Sequence, residues 1–319
     1  MEIRKMIITH DIEANLLAEI QELVPHWNII AQRNPDAWLA HLNSAEIIVG
    51  WKKEISEALN SDSPLRWVQS WSAGVNSMPL AKLEEMDVIL TSANGVHAYP
   101  ISETIFALML ALTRNIHVYV KNQLNRKWHH SGLKLELHGK TIGIIGVGAI
   151  GLETAKIAKA FGMEVIGIRH SGNPEKNVDE MYLPKQLDEV LPRCDYVVVT
   201  LPLTSETRGL FGKEQFALMK TSSMFINIGR GAIVKENELI DALSNGEIAG
   251  AGLDVFEKEP LSEDSPLWDM DNVIITPHTA GSTEHYAKRV LQDIFIPNLK
   301  AYRAGNVPSI NLVDYKKGY

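Results

Sequence analysis

A glycine-rich run, GVGAIG, spans Gly146 to Gly151 between an apolar segment, TIGII, and a helix-like segment, LETAKIAKAF. Each glycine at this spacing has a physical task. Gly146 permits a tight turn, Gly148 lets the backbone approach a pyrophosphate, and Gly151 lets the following helix pack close to the preceding strand. Ala149 and Ile150 open that helix, whose free N–H groups and partial positive charge favour phosphate. A lone GxGxxG is a weak signal. Here a strand precedes it, a helix follows it and a second strand comes at the expected distance, so a dinucleotide site is expected.

The choice of dinucleotide falls to EVIGIRHSG, residues 164–172. In a fold of this kind an NAD site carries an acid about 20 residues after the glycines, where it receives the ribose hydroxyls. Here the strand runs into Arg169, His170 and Ser171 instead. An arginine fork attracts a 2′-phosphate, and the histidine and serine can hydrogen-bond it. The missing carboxylate matters more, since it would repel that phosphate. NADP(H) is therefore expected to be preferred, with NAD(H) possible.

Holding such a site requires a large α/β framework, and the chain can supply one. Its 319 residues suit two domains. With 45% apolar and 22% charged residues it has the composition of an ordinary globular protein. A formal charge of −8 argues against nucleic acid or an anionic membrane as partner, because both demand basic patches. The single Cys194 cannot form an internal disulfide, which points to a reducing cytoplasm. No secretory signal is legible at the N-terminus. The most apolar run, TIFALMLAL from Thr104 to Leu112, is far short of the roughly 20 residues that span a bilayer.

Short apolar runs alternate with helical stretches from the start. Residues 5–9, 28–31, 46–50, 66–70 and 87–91 read as buried strands, and IEANLLAEI as one of the helices between them. A second series of six strands follows, at 140–146, 163–168, 195–200, 223–229, 248–255 and 272–277. Alternation of this kind implies parallel sheets covered on both faces. The expected fold class is therefore α/β, with two doubly wound, Rossmann-like or flavodoxin-like domains. Between the two series, SETIFALMLALTRNIHVYV predicts one uninterrupted helix capped by Ser102. It is apolar nearly all round and must be buried, within the chain or against a second subunit. Beyond Gly281, Tyr286, Val290, Leu291 and Ile294 mark a further helix.

Three later stretches carry a resemblance: FINIGRGAIVKENELIDAL (225–243), AGAGLDVFEKEPL (249–261) and SPLWDMDNVIITPHTAGST (265–283), with VTLPLTSETRGLF (199–211) in the same pattern. They resemble the D-2-hydroxyacid dehydrogenase family, over nearly the whole chain and most strongly from Gly139 to Thr283. The resemblance implies a cytoplasmic oxidoreductase acting on the CH–OH group of donors. It would pass a hydride between NADP(H) and a small 2-oxo or D-2-hydroxy acid, as glyoxylate and hydroxypyruvate reductases do. Arg230 corresponds to the family's substrate-binding arginine, whose planar fork suits an α-keto carboxylate. His278 corresponds to the acid/base. Glu259 corresponds to the carboxylate that orients the imidazole and favours its protonated form.

By the same likeness Asp254 faces the nicotinamide carboxamide. Leu201, Pro202, Thr207, Ile228, Gly229 and Gly281 flank the cofactor. Ala73, Gly74 and Val75 offer backbone N–H groups to the substrate carboxylate, and Trp51 lines the substrate pocket, with Tyr99 and Trp128 at its rim. The family commonly has an acid where this chain has Asn76. Residues 1–96 with 286–319 are expected to form a discontinuous substrate domain and 97–285 the dinucleotide domain, with the active site in the cleft between them. A homodimer through the cofactor domain is implied, and no metal site is expected. Two alternatives stay open. One is an NAD-dependent enzyme like phosphoglycerate dehydrogenase, for which Lys52 and Lys53 would hold the substrate phosphate. The other is a dinucleotide-sensing, corepressor-type binding protein. Glu259 argues against a formate dehydrogenase, where that position carries glutamine.

Overall fold

In the computed structural model, which describes residues 3–75, 77–130, 132 and 134–315, the apolar runs form two all-parallel sheets. The first contains β1 (Lys5–Ile8), β2 (Asn28–Ala31), β3 (Ile47–Val49), β4 (Trp67–Gln69) and β5 (Ile89–Thr91) in the order β2-β1-β3-β4-β5. This is the flavodoxin-like order. Side chains alternate between its faces. Ile7, Ile48, Val68 and Leu90 pack with Trp38, Leu42 and Leu83 on one side. Met6, Ile8, Val49 and Trp67 pack on the other with Leu16, Ile20, Leu291 and Phe295.

The second sheet has seven strands, one more than expected. They are β6 (Thr141–Ile145), β7 (Glu164–Ile168), β8 (Glu180–Tyr182), β9 (Tyr196–Val199), β10 (Met224–Asn227), β11 (Gly250–Leu253) and β12 (Val273–Ile275). Their order is β12-β11-β10-β9-β6-β7-β8. Strand succession reverses between β6 and β9, the position at which a doubly wound sheet opens a ligand crevice beyond its carboxyl ends. The additional strand, β8, is a three-residue edge strand with every residue only half-buried. Its residues, Glu180, Met181 and Tyr182, lack the apolar run that marks the others, including the equally half-buried edge strand β12.

The predicted long helix is corrected in two ways. It begins earlier, at Ala98, because Pro100 sits in the first turn, where its missing N–H costs nothing. Ser102 is consequently a buried residue inside the helix, its Oγ 3.1 Å from Thr154 Oγ1, and does not cap it. The helix also stops at Thr113, and a second one runs from Ile116 to Leu124. Asn115 between them takes φ +53, a left-handed conformation that ends helices and that asparagine tolerates better than most residues. Helix Ala98–Thr113 is buried within the chain, its Ile105, Leu108, Met109 and Leu112 packing with Ile142, Ile144, Val198 and Ile226 of the sheet. The last helical region runs as Tyr286–Arg289, a π-helical turn Val290–Phe295, and Ile296–Arg303. The wide turn ends two residues before Pro297, whose ring nitrogen cannot donate.

The chain divides into two units, one running to Val96 and resuming at Thr283, the other His97–Ser282. The second crossing thus comes three residues before the expected position 286. Among the described residues no helix is long and apolar enough to cross a membrane.

Candidate active site

The residues expected to bind the cofactor and to do the chemistry in the second unit each lie just beyond the carboxyl end of a strand. Gly146–Gly151 follow β6, Arg169–Ser171 follow β7, and Leu201–Thr207 follow β9. Ile228–Arg230 follow β10, Asp254–Glu259 follow β11, and His278 with Gly281 follow β12. One edge of one sheet therefore carries the whole set.

At the glycine loop, Gly146 has φ +110, which L side chains rarely adopt. A Cβ on Gly151 would lie 2.7 Å from the Gly146 carbonyl oxygen, so this glycine sets the helix–strand approach. On Gly148 a Cβ would meet nothing within 4 Å. Protein packing therefore leaves that exposed position open, and the backbone before helix Ala149–Ala160 is bare, as a pyrophosphate cradle needs. Thr200 Oγ1 donates to the Gly146 carbonyl at 2.6 Å and ties the loop to the end of β9. Pro202 and Leu201 lie beyond it, and buried Thr207 donates its hydroxyl to the Pro202 carbonyl at 2.7 Å. Thr207 thus shapes the loop from inside.

Arg169 is half-buried at the end of β7, and its Nη1 is paired with the carboxylate of Glu175. His170 and Ser171 are exposed beside it, with Ser171 Oγ accepting from Asn173 N at 3.3 Å. No acid stands at positions 169–171, but the fold brings one from six residues on.

The Arg230 loop is fixed by close backbone approaches. A Cβ on Gly229 would sit 2.7 Å from the Leu201 carbonyl oxygen. On Gly231 it would come within 1.8 Å of the Phe256 carbonyl group, a position only glycine can hold. That contact sets the Arg230 loop against the turn leading to Glu259. Asn227 braces the loop, accepting from Gly229 N at 3.1 Å and donating to the Arg230 carbonyl at 3.3 Å. Arg230 itself is exposed, with Nη1 donating to the Gly229 carbonyl at 2.7 Å.

His278 Nδ1 lies 2.7 Å from Glu259 Oε2, and Glu259 Oε1 accepts from Phe256 N at 3.1 Å. Burial pushes the Glu259 carboxyl up. The His278 hydrogen bond, the Phe256 N–H and the charges of His278 and Arg230 outweigh it and hold the group below the usual glutamate value. The pair is thus present above that lowered value and dissolves as pH falls through it.

His278 takes φ +54, an uncommon conformation for a non-glycine residue that costs roughly 1–2 kcal/mol. Buried Asp254 holds it there. Its carboxylate accepts from Thr276 Oγ1 at 2.6 Å, Thr279 N at 2.9 Å and Ala280 N at 3.0 Å, while its carbonyl accepts from His278 N at 2.9 Å. A carboxylate taken out of water needs such donors. Asp254 is thereby the centre of the turn that presents His278. Thr276 and Asn227 were not among the expected residues, although the motifs ITPHTAG and INIGRG hold a polar residue directly after or at the end of an apolar strand. Gly281 is fixed from the other side, where its carbonyl lies 2.8 Å from His97 Nδ1.

In the first unit the corresponding loops also lie beyond strand ends. Ala73 and Gly74 are exposed after β4, and a Cβ on Gly74 would meet nothing within 4 Å. Val75 is buried and anchors the loop. Asn76 lies outside the described residues. Trp51 is half-buried after β3, packs on the core and donates its indole N–H to Ser56 Oγ at 2.9 Å. Tyr99 and Trp128 belong to the second unit instead: Tyr99, in helix Ala98–Thr113, is half-exposed, and Trp128, beyond helix Ile116–Leu124, is fully exposed.

Comparison with known proteins agrees with this geometry. Residues 106–280 match the family described as D-isomer specific 2-hydroxyacid dehydrogenase, NAD binding domain. The glyoxylate/hydroxypyruvate reductase B of Salmonella typhi is 38% identical over 263 residues, 80% of this chain and 81% of that one. Among solved structures, a D-isomer specific 2-hydroxyacid dehydrogenase family protein from Aeromonas salmonicida subsp. salmonicida A449 matches with a TM-score of 0.82 and 32% identity. The match covers 98% of this chain and all of that one. An NADPH-dependent glyoxylate/hydroxypyruvate reductase from Sinorhizobium meliloti, solved with NADP and sulfate, matches with a TM-score of 0.76 and 30% identity, over 99% of this chain and all of that one.

Proposed function

The chain belongs to the D-isomer specific 2-hydroxyacid dehydrogenase family, and from that premise we propose that it is an NADPH-preferring reductase of small 2-oxo acids, glyoxylate and hydroxypyruvate first among them. The observation that carries the reading is the His278–Glu259 pair at 2.7 Å, on a turn packed against the Arg230 loop. The named relatives from Salmonella and Sinorhizobium support the substrate class, and the NADPH dependence of the latter supports the cofactor.

In the forward reaction the Arg230 fork holds the substrate carboxylate and draws electron density from the adjacent carbonyl. NADPH bound over Gly146–Gly151, with Arg169 on its 2′-phosphate, would supply the hydride. His278 gives its proton to the alkoxide oxygen as it forms, and Glu259 stabilises the cationic imidazole until then. Asp254 holds the His278 turn. Ala73, Gly74, Val75 and Trp51 of the first unit are the substrate-side residues of the same reading. The oxidative direction runs these steps in reverse, with neutral His278 as base.

Glu259→Gln tests the proton path. Glutamine keeps an acceptor for the imidazole but removes the charge that favours its protonated form. The alkaline limb of the reductive pH–rate profile is expected to move to lower pH by about one unit. An unmoved profile would remove Glu259 from proton transfer. Cofactor choice is tested by saturation curves for NADPH and NADH against a fixed concentration of hydroxypyruvate. The higher kcat/KM is expected with NADPH, and a preference for NADH would overturn that part of the reading alone.

A homodimer belongs to the same proposal. On helix Ile116–Leu124, Ile116, Val120 and Leu124 repeat every fourth residue and are exposed, with exposed Trp128 just beyond. A stripe of this kind suits a second copy of the chain. A cytoplasmic location fits the buried, unpaired Cys194.

A further inference from the structure

The Arg169–Glu175 pair changes what the absence of an acid at 169–171 means. The loop after β7 folds back on itself: Gly172 N donates to the Arg169 carbonyl at 3.1 Å, and Val178 N to the Glu175 carbonyl at 3.2 Å. Left-handed backbone at Gly172 and Asn177 permits both turns. The result sets the Glu175 carboxylate on Arg169 Nη1, with the two side chains 30% and 35% exposed respectively. Among the described residues, Glu175 is the acceptor that the Arg169 side chain uses.

We propose that Glu175 is a specificity-determining residue, which limits the preference for NADPH by competing with the 2′-phosphate for Arg169. The inference rests on the NADPH reading above. A ribose 2′-phosphate brings close to two negative charges at neutral pH, as other phosphomonoesters do. Arg169 alone would attract it strongly. Arg169 already paired with a carboxylate presents nearly no net charge, and the carboxylate itself repels the phosphate across a few ångströms of half-exposed protein. Glu175 also orients the guanidinium, which helps binding. That gain is the smaller effect, because like charges held so close in a partly desolvated loop act on a dianion twice over.

NADH meets the opposite situation. Its 2′-hydroxyl is neutral and can donate to a carboxylate, so Glu175 imposes no charge conflict on it. The chain thus carries both devices in one loop, a cation for the phosphate and an acid that tempers it. The preference becomes a balance between two side chains six positions apart.

The test is direct binding, by fluorescence titration of the full-length protein with NADPH and, separately, with NADH. Glu175→Gln is expected to lower the NADPH Kd about tenfold, equivalent to about 1.4 kcal/mol, and to leave the NADH Kd within about twofold. An unchanged or weakened NADPH affinity, or equal shifts for both dinucleotides, would overturn the proposal. Arg169→Ala separates the two layers. If it weakens NADPH while Glu175→Gln does nothing, the competition fails and the NADPH reading stands. If Arg169→Ala leaves NADPH affinity unchanged, the 2′-phosphate does not bind at this loop and both fail together.

Discussion

Replacement of His278 by asparagine is expected to lower kcat for 2-oxo acid reduction about a thousandfold, with NADPH affinity and thermal stability close to those of the wild type. Asparagine is the informative choice because His278 sits at φ +54, a conformation asparagine adopts readily and most other residues do not. Its backbone N–H can still donate to the Asp254 carbonyl, as His278 N does at 2.9 Å. The turn therefore survives, and the loss isolates the proton that the imidazole delivers. Residual activity should come from substrate orientation by Arg230 and from the bound cofactor. A variant retaining more than about a tenth of wild-type kcat would contradict the assignment, since general acid–base catalysis of this kind contributes at least about a hundredfold.

Arg230→Lys should have the second largest effect, a fall in kcat/KM of about two to three orders of magnitude. Charge is conserved in this change, so a simple attraction for the carboxylate predicts little loss. The structure argues otherwise. Gly229 and Gly231 are pinned against the Leu201 carbonyl and the Phe256 backbone, with no room even for a methyl group. The backbone cannot advance to let a lysine reach, and one ammonium cannot grip two oxygens as a planar fork does. The loss should appear in KM through the carboxylate and in kcat through the carbonyl. Wild-type values for both would mean that Arg230 contributes only its charge.

Much of this arrangement was legible in the chain because most of its strands are buried and all but one carry a run of apolar residues. Runs such as IIVG, TIGII and YVVV announce themselves without any partner, and among the described residues eleven of the twelve strands arise from runs of this kind. β8 stayed hidden because an edge strand of Glu180, Met181 and Tyr182 has no face that must be wholly apolar. The break at Asn115 was hidden for another reason. Its surroundings favour helix, and only the conformation of one residue interrupts it. At the site, the residues that do chemistry stand in long motifs and could be found by resemblance. Their supports could not be found in that way. The hold of Asp254 on Thr276, Thr279 and Ala280, and that of Glu175 on Arg169, depend on how loops fold back. No periodicity in the sequence encodes such returns.

The most direct test of the central claim is turnover itself. Wild-type protein is mixed with NADPH and, in turn, glyoxylate, hydroxypyruvate, pyruvate and phenylpyruvate, and oxidation of the nicotinamide is followed alongside the hydroxy acid formed. Catalytic oxidation of NADPH is predicted with glyoxylate and hydroxypyruvate, one hydroxy acid appearing for each NADPH consumed and glycerate from hydroxypyruvate having the D configuration. Tight NADPH binding with no oxidation by any of the four acids would contradict the account, and would recast Arg230, Glu259 and His278 as parts of a dinucleotide-sensing protein.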